Sequence, residues 1–168
     1  MSFIITGLPR SQTYWAARLF RSNGFSCVHD DLSMGLAKGC CPEILLDKVL
    51  NNEFGISDAG IPLVLNYYKD LLKLPMVVIR RSVEDVYNSF LKINIDANLK
   101  FLKDLEKEVN ALACLPNVLC KRFPLNQEDS DEILDFCTGS KNNKFKSKNL
   151  TFSPKKEEKI RRLMWVQQ

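Results

Sequence analysis

The sequence predicts an α/β fold with three layers, in which helices cover both faces of a central parallel sheet of about five strands. Short apolar runs alternate with segments of helical periodicity along the chain. The runs are continuous rather than alternating, which is typical of strands buried on both faces. With 168 residues and 45% hydrophobic content, the chain can bury one sizeable core. The predicted strands are 3–6, 25–28, 54–57, 76–79 and 118–120.

Three helices are predicted in the first half of the chain. The first covers 13–23, where apolar side chains recur every three or four residues before Gly24 provides a helix stop. The second covers 42–50, which carries its apolar residues on one face. The third covers 62–72 and opens on Pro62, a residue that is favoured in the first turn of a helix.

The second half begins with the most strand-like run, 76–79, followed by a helix over 82–92. Ser82 and Asp85 have the spacing of a loose capping box at the start of that helix. Beyond it the sequence predicts an amphipathic helix and two shorter ones. These helices cover 96–113, 130–137 and 154–166.

We expect residues 1–138 to form the α/β domain and residues 139–168 to form a basic segment and a helix packed on that domain. Nine basic and two acidic residues lie beyond position 138, a net charge of +7, so the first 138 residues carry −3 of the total of +4. A solvated segment followed by an amphipathic helix explains this charge more simply than contact with nucleic acid. Nucleic acid is therefore not an expected partner.

We expect a cytoplasmic protein without a membrane span. No stretch approaches the roughly 18 apolar residues that a spanning helix needs, and Met1 leads into the first strand without a basic leader. None of the six cysteines is spaced as C-x-x-C, and several lie inside apolar runs. We therefore expect buried or incidental thiols and neither a disulfide framework nor a metal site.

The loop after the first strand has the composition of an anion-binding loop. The strand breaks into G-L-P-R-S-Q-T-Y-W, which supplies the cation Arg10 and the hydroxyls of Ser11 and Thr13 just before a helix. Successive backbone N–H groups at a helix start, together with a guanidinium, bind an anion without a metal.

A second candidate anion site follows the fourth predicted strand. Arg81 stands at the strand exit and Ser89 lies about two helical turns further on, so both can face one phosphate. In a parallel sheet, ligands bind at the carboxyl ends of the strands. That edge also receives His29 and Asp58 from the second and third strands. Two anion sites on one edge suggest a ligand with two separated phosphates.

Together these motifs, T-G-L-P-R-S-x-T-x-W and R-x-x-x-D-V-x-x-S, resemble those of the sulfotransferases that use 3′-phosphoadenosine 5′-phosphosulfate (PAPS). The resemblance covers about residues 3–138 and implies a fold like that of P-loop nucleotide-binding proteins. It implies that Arg81 and Ser89 hold the 3′-phosphate, and that the first loop holds the phosphosulfate, with Trp15 against the adenine. The residues of that loop are Pro9, Arg10, Ser11, Gln12, Thr13, Tyr14 and Trp15.

The chain departs from the family's pattern at several positions. The family usually has Gly at the position of Gln12, a hydroxyl residue at Tyr14 and often Lys at Arg10. Gln12 lacks the φ freedom of glycine and could crowd the ligand, whereas Arg10 can still bind an anion bidentately. The family's closing loop near the C-terminus is not recognisable, and the lysine-rich stretch 141–148 is the candidate replacement.

The resemblance implies transfer of a sulfuryl group from PAPS to a hydroxyl or amine of a small-molecule or glycan acceptor, with PAP as the product. No metal is expected, because fixed N–H groups and a guanidinium can neutralise the transferred group. His29 is one candidate base, since an imidazole titrates near neutral pH. Asp58 is the other, although a turn or capping role before Gly60 fits it equally well.

Two other functions fit the same pattern less well. A non-catalytic relative could keep the fold and bind an anionic ligand or a partner, which would explain Gln12 and the missing closing loop. A nucleotide or nucleoside kinase would need the loop G-x-x-x-x-G-K-[ST], and this loop lacks the second Gly and the Lys.

Overall fold

The computed structural model describes residues 1–145, so the predicted helix 154–166 and part of the lysine-rich stretch lie outside the described residues. All five strands are parallel and form one sheet in the order β2-β3-β1-β4-β5. The strands are β1 Ile4–Gly7, β2 Cys27–His29, β3 Gly55–Ser57, β4 Met76–Arg80 and β5 Val118–Arg122. Within this part of the chain the α-helices are α1 Thr13–Ser22, α2 Asp31–Ala37, α3 Glu43–Leu50, α4 Ile61–Val64, α5 Val83–Leu91, α6 Leu99–Ala113 and α7 Gln127–Thr138, and a 3₁₀ helix covers Lys69–Lys73.

Helices cover both faces of the sheet, which confirms the predicted three-layer α/β/α fold. Successive residues of a strand point to opposite faces, and Ile4 packs in one hydrophobic core while Phe3 and Ile5 pack in the other. The core around Ile4 contains side chains of α2 to α6, and the core around Phe3 contains side chains of α1 and α7. The inner strands β1, β3 and β4 are buried on both sides up to the exposed Arg80, which is why they are almost continuously apolar. The edge strand β5 is partly exposed and ends in Lys121 and Arg122.

Helix α2 was not predicted, because its stabilising contacts are not local. It lies in a segment, 31–42, that shows no clear helical pattern in the sequence. The backbone N–H groups of Leu32 and Ser33 donate to the carboxylate of Asp58 at 3.0 and 3.1 Å. This side chain, distant in sequence, satisfies two of the donors that every helix leaves open at its start.

The prediction of one continuous helix over 62–72 is wrong. The chain forms a short α-helix, Ile61–Val64, then a turn, and then a 3₁₀ helix, Lys69–Lys73. Asn66, Tyr67 and Tyr68 interrupt the predicted helix, and these residue types have weak helix propensity.

At the other end of the domain, α7 begins three residues earlier than predicted. A capping box between Asn126 and Asp129 fixes that start.

The described part of the basic segment contacts the α/β domain. The side-chain amide of Asn143 donates to Ser130 Oγ at 3.0 Å, and the ring of Phe145 packs edge-on against Trp15, with the centroids 5.2 Å apart. All six cysteines are free thiols. No helix within residues 1–145 has the length and apolar character needed to cross a bilayer.

Gly7 ends the central strand at a position where no other residue fits. A Cβ at Gly7 would lie 2.4 Å from the carbonyl oxygen of Ile79, its register partner in β4. A backbone atom in a sheet cannot move aside as the end of a flexible side chain can. The close approach of β1 and β4 therefore requires glycine, and it sets where the loop after β1 begins.

We expect Gly7→Ala to lower the free energy of unfolding by about 1–3 kcal/mol, because the added methyl group overpacks a buried sheet. Urea denaturation monitored by circular dichroism measures this. Gly35→Ala is the control: a Cβ there would have its nearest neighbour at 3.8 Å, and alanine in a helix is favoured over glycine. A Gly7→Ala protein as stable as wild type would show that β1 and β4 do not require glycine at this position.

Candidate anion-binding site

The loop between β1 and α1 places backbone N–H groups at the amino end of a helix. Arg10 and Gln12 adopt the left-handed conformation, with φ of 66° and 62°. Such a conformation costs a non-glycine residue about 1–3 kcal/mol and persists where the surroundings hold it. Residues in this conformation turn successive N–H groups inward and form a concave surface that favours anions. The helix α1 that follows adds the positive end of its dipole.

Arg10 connects this loop to the second motif. Its Nε donates a hydrogen bond to Ser89 Oγ at 2.7 Å, although the two residues are 79 positions apart. The Arg10 guanidinium also lies 5.9 Å from the centre of the Phe90 ring. The two motifs predicted from sequence therefore meet in space, through the side chains that were singled out in each.

Arg81 connects the same two motifs through the backbone. Its Nη1 donates to the carbonyl oxygen of Arg10 at 2.6 Å, and its Nη2 donates to the carbonyl oxygen of Asp85 at 3.2 Å. The guanidinium lies 3.9 Å from the centre of the Phe123 ring. Partial burial lowers the pKa of the Arg81 guanidinium, although the nearby Asp85 carboxylate acts in the opposite direction. Arg81 thus fixes the position of the first loop and adds a positive charge beside it.

Two buried polar atoms of this region have no hydrogen-bond partner in the part of the chain that the structure describes. They are Ser11 Oγ and Arg81 Nε. Buried polar atoms of proteins are nearly always paired. A pair of unsatisfied atoms on the loop and on the arginine that holds it is consistent with a site shaped for a polar ligand.

Gln12 is the loop residue that we expected, from the sequence, to crowd a ligand. Its side-chain oxygen accepts a hydrogen bond from the backbone N–H of Leu125 at 2.7 Å. Leu125 follows β5, so this bond ties the first loop to a third strand end. The sequence carried no local signal for this contact, since the two residues are 113 positions apart.

His29 lies beside the first loop at the end of β2. Its Nε2 is 3.2 Å from Thr13 Oγ1 and 3.0 Å from Asp30 Oδ1. The Tyr14 ring meets the imidazole edge-on, with centroids 5.3 Å apart, and 8% of the His29 side chain is exposed. The same Nε2 can donate to the Asp30 carboxylate when it carries a hydrogen, or accept from the Thr13 hydroxyl when it does not.

Asp58, the other candidate base, is fully buried. One carboxylate oxygen accepts from the N–H groups of Leu32 and Ser33. The other accepts from the Gly60 N–H at 2.8 Å and from the Ser33 hydroxyl. Burial raises the pKa of the Asp58 carboxyl, and these hydrogen bonds oppose that shift. With both oxygens occupied by donors, the geometry fits a residue that anchors α2 to the edge of the sheet.

Trp15 lies in the core of the domain. It is 3% exposed and belongs to the cluster formed by α1 and α7. The structure therefore places it as a core aromatic, while the partly exposed members of the loop are Pro9, Arg10, Gln12 and Tyr14. The predicted contact of Trp15 with adenine stays a prediction.

Comparison with models of known protein families gives no match for this chain, and comparison with curated proteins gives none either. The resemblance to the PAPS-dependent sulfotransferases accordingly depends on the two sequence motifs, on the parallel sheet that carries them and on the contacts between them.

We expect Asp58→Asn to lower the free energy of unfolding by about 2–4 kcal/mol. The substitution replaces one acceptor oxygen by an NH₂ group, so the buried donors that this oxygen served lose their hydrogen bonds. Chemical denaturation measures the loss. Asp31→Asn, at an exposed position in the first turn of α2, is the control and should change stability little. If Asp58→Asn folded with wild-type stability, Asp58 would not be an anchor of α2.

Proposed function

We propose that the protein is a sulfotransferase-like enzyme that transfers a sulfuryl group from PAPS to a hydroxyl or amine of an acceptor. The contact of the two motifs is the observation that carries this proposal. Arg10 bonds to Ser89, and Arg81 bonds to the carbonyl oxygen of Arg10, so one continuous group of donors lies at the ends of β1 and β4. A ligand with two separated anionic groups matches such a surface better than a single anion does.

The two ends of the nucleotide would use different parts of this surface. The loop N–H groups, the Arg10 guanidinium and the hydroxyls of Ser11 and Thr13 would face the phosphosulfate at the start of α1. Arg81 and Ser89 would face the 3′-phosphate. Since Arg81 already holds the Arg10 backbone, a 3′-phosphate bound there would also stabilise the loop that binds the other end.

In the reaction, the bond between sulfur and the bridging oxygen of the phosphosulfate breaks, and a new bond forms between sulfur and the acceptor oxygen or nitrogen. PAP leaves with the bridging oxygen and its charge. Arg10 and the loop N–H groups stabilise that charge, because they are fixed before the reaction and need not reorganise. The proton of the acceptor passes to His29, and Asp30 stabilises the imidazolium that results.

His29 suits the role of base better than Asp58 does. The imidazole nitrogen contacts Thr13 in the loop that would hold the sulfuryl group, whereas Asp58 is fully buried and occupied by donors of α2 and of Gly60. Asp58 would then support the site indirectly, by holding α2 against the strand end beside His29.

A non-catalytic binding protein with the same pocket is the second candidate. The small exposed fraction of the His29 side chain, 8%, favours it, because an acceptor must reach the imidazole. Binding of PAP is common to both candidates, and turnover separates them.

We expect the protein to bind PAP without Mg²⁺ and Ser89→Ala to weaken that binding about tenfold or more, because the hydroxyl both contacts the phosphate and orients Arg10. Isothermal titration calorimetry measures the affinity, with ATP as a second titrant. Asn88→Ala, the exposed neighbour on α5, is the matched control and should bind PAP as wild type does. Equal affinities of Ser89→Ala and wild type would contradict the proposed site.

We expect His29→Gln to lower turnover about 10²–10⁴-fold, because it removes the group that takes the acceptor proton. Affinity for PAP should change far less than turnover, since His29 is not one of the proposed phosphate ligands and contacts them only through Thr13. Release of PAP from PAPS with a panel of phenol, alcohol and amine acceptors measures turnover. A His29→Gln enzyme with full turnover would exclude His29 as the base.

A further inference from the structure

We infer that Arg80 and Arg122 form a second oxyanion site at the carboxyl edge of the sheet, which adjoins the proposed nucleotide site at Arg81 and does not rest on the proposed function. Its ligand is a phosphate, sulfate or carboxylate group, carried by a small hydroxylated molecule or present as the free ion. We call these two residues the arginine pair.

The arginine pair is a register pair of two neighbouring parallel strands. Arg80 is the last residue of β4, Arg122 is the last residue of β5, and the two are directly paired. Paired residues on adjacent parallel strands point to the same side of a sheet, with backbones about 5 Å apart. Like charges in this position repel each other. An anion between them would turn that repulsion into attraction and could be held by two guanidinium groups at once.

Within residues 1–145 no carboxylate lies at ion-pair distance from the arginine pair, although Glu106 and Asp85 line the same cavity. Arg80 and Arg122 are both exposed. The neighbouring cation of β5 is treated differently: Lys121 pairs with Asp129 at 3.1 Å and with Glu132. On the face of β5 toward α7, Lys121 thus pairs with carboxylates. On the opposite face, Arg122 makes no such pair within residues 1–145.

A cavity of about 280 Å³ lies against the arginine pair. Asn110 and Glu106 of α6 line its wall, together with Arg81 and Asp85 at the start of α5. The volume is near the lower limit of small-molecule pockets. The amide of Asn110 and the carboxylate of Glu106 can bond to hydroxyl groups. The cavity therefore suits a small hydroxylated molecule whose acidic group reaches the arginine pair.

This cavity and the proposed base lie near opposite lateral edges of the sheet. The strand order places β2, which carries His29, at one edge, and β5, which carries Arg122, at the opposite edge. An acidic group on the arginine pair is therefore not the group that would accept a sulfuryl group near His29. Arg81 borders this cavity as well as the proposed nucleotide site, so the two sites meet at that residue.

The test is titration of the ¹⁵N-labelled protein with glucose 6-phosphate, inorganic phosphate and glucose, observed by NMR. We expect glucose 6-phosphate to shift the Asn110 side-chain amide and the backbone signals of the arginine pair saturably. Inorganic phosphate should shift the same signals with lower affinity, and glucose should not shift them. Equal affinities for the two phosphates would also support the oxyanion site and would assign it to the free ion.

Variants decide whether the arginine pair carries the binding. The double variant Arg80→Gln/Arg122→Gln should lose affinity for glucose 6-phosphate about tenfold or more, and Arg122→Glu should abolish binding. Arg18→Gln/Lys103→Gln removes two exposed charges elsewhere and should bind as wild type does. Ser89→Ala should also keep wild-type affinity. The unshifted part of each spectrum shows whether the variant is folded.

Three results would overturn the inference. They are the absence of saturable shifts with either phosphate, unchanged affinity in Arg80→Gln/Arg122→Gln, and competitive displacement of glucose 6-phosphate by PAP. The last result would assign the arginine pair to the nucleotide site and would leave the proposed function supported. If PAP did not bind while glucose 6-phosphate still bound, the arginine pair would be supported and the proposed function would be contradicted.

Discussion

The Arg81 guanidinium joins three strand ends at the carboxyl edge of the sheet. It follows β4, bonds to the backbone of Arg10 after β1 and stacks on Phe123 after β5. Charge-assisted hydrogen bonds to carbonyl oxygens are short and directional, and the stacking on an aromatic ring restricts the guanidinium further. Together with the bonds from Arg10 to Ser89 and from Leu125 to Gln12, this side chain holds the loop that carries the candidate anion site.

The same edge explains how the first loop adopts its conformation with glutamine at position 12. Gln12 takes the left-handed conformation that glycine adopts more easily, and its side chain bonds to the N–H of Leu125. A contact with a neighbouring strand end thus compensates for a conformational cost. The sequence suggested that Gln12 could crowd a ligand, whereas the structure engages its side chain with the loop after β5.

Local patterns in the sequence were sufficient for the strands and for the class of fold. Continuous apolar runs predicted the five strands, and the strand-end rule predicted that Arg10 and Arg81 would meet at one edge. The start of α7 had a local signal that the prediction missed, since Asn126 and Asp129 have the spacing of a capping box. Contacts between distant residues had no such signal. Helix α2 begins on donors that Asp58 satisfies, and the direct bond from Arg10 to Ser89 depends on side-chain conformations.

A double-mutant cycle on PAP affinity shows whether the two motifs act as one site. Calorimetry would compare wild type, Arg10→Gln, Ser89→Ala and the double variant, with and without Mg²⁺. If the Arg10–Ser89 bond orders both groups toward one ligand, each single variant weakens binding, and the double variant loses less than the two losses together by about 0.5–3 kcal/mol. Strictly additive losses, or wild-type affinity in either single variant, would contradict the claim that a single site unites the two motifs.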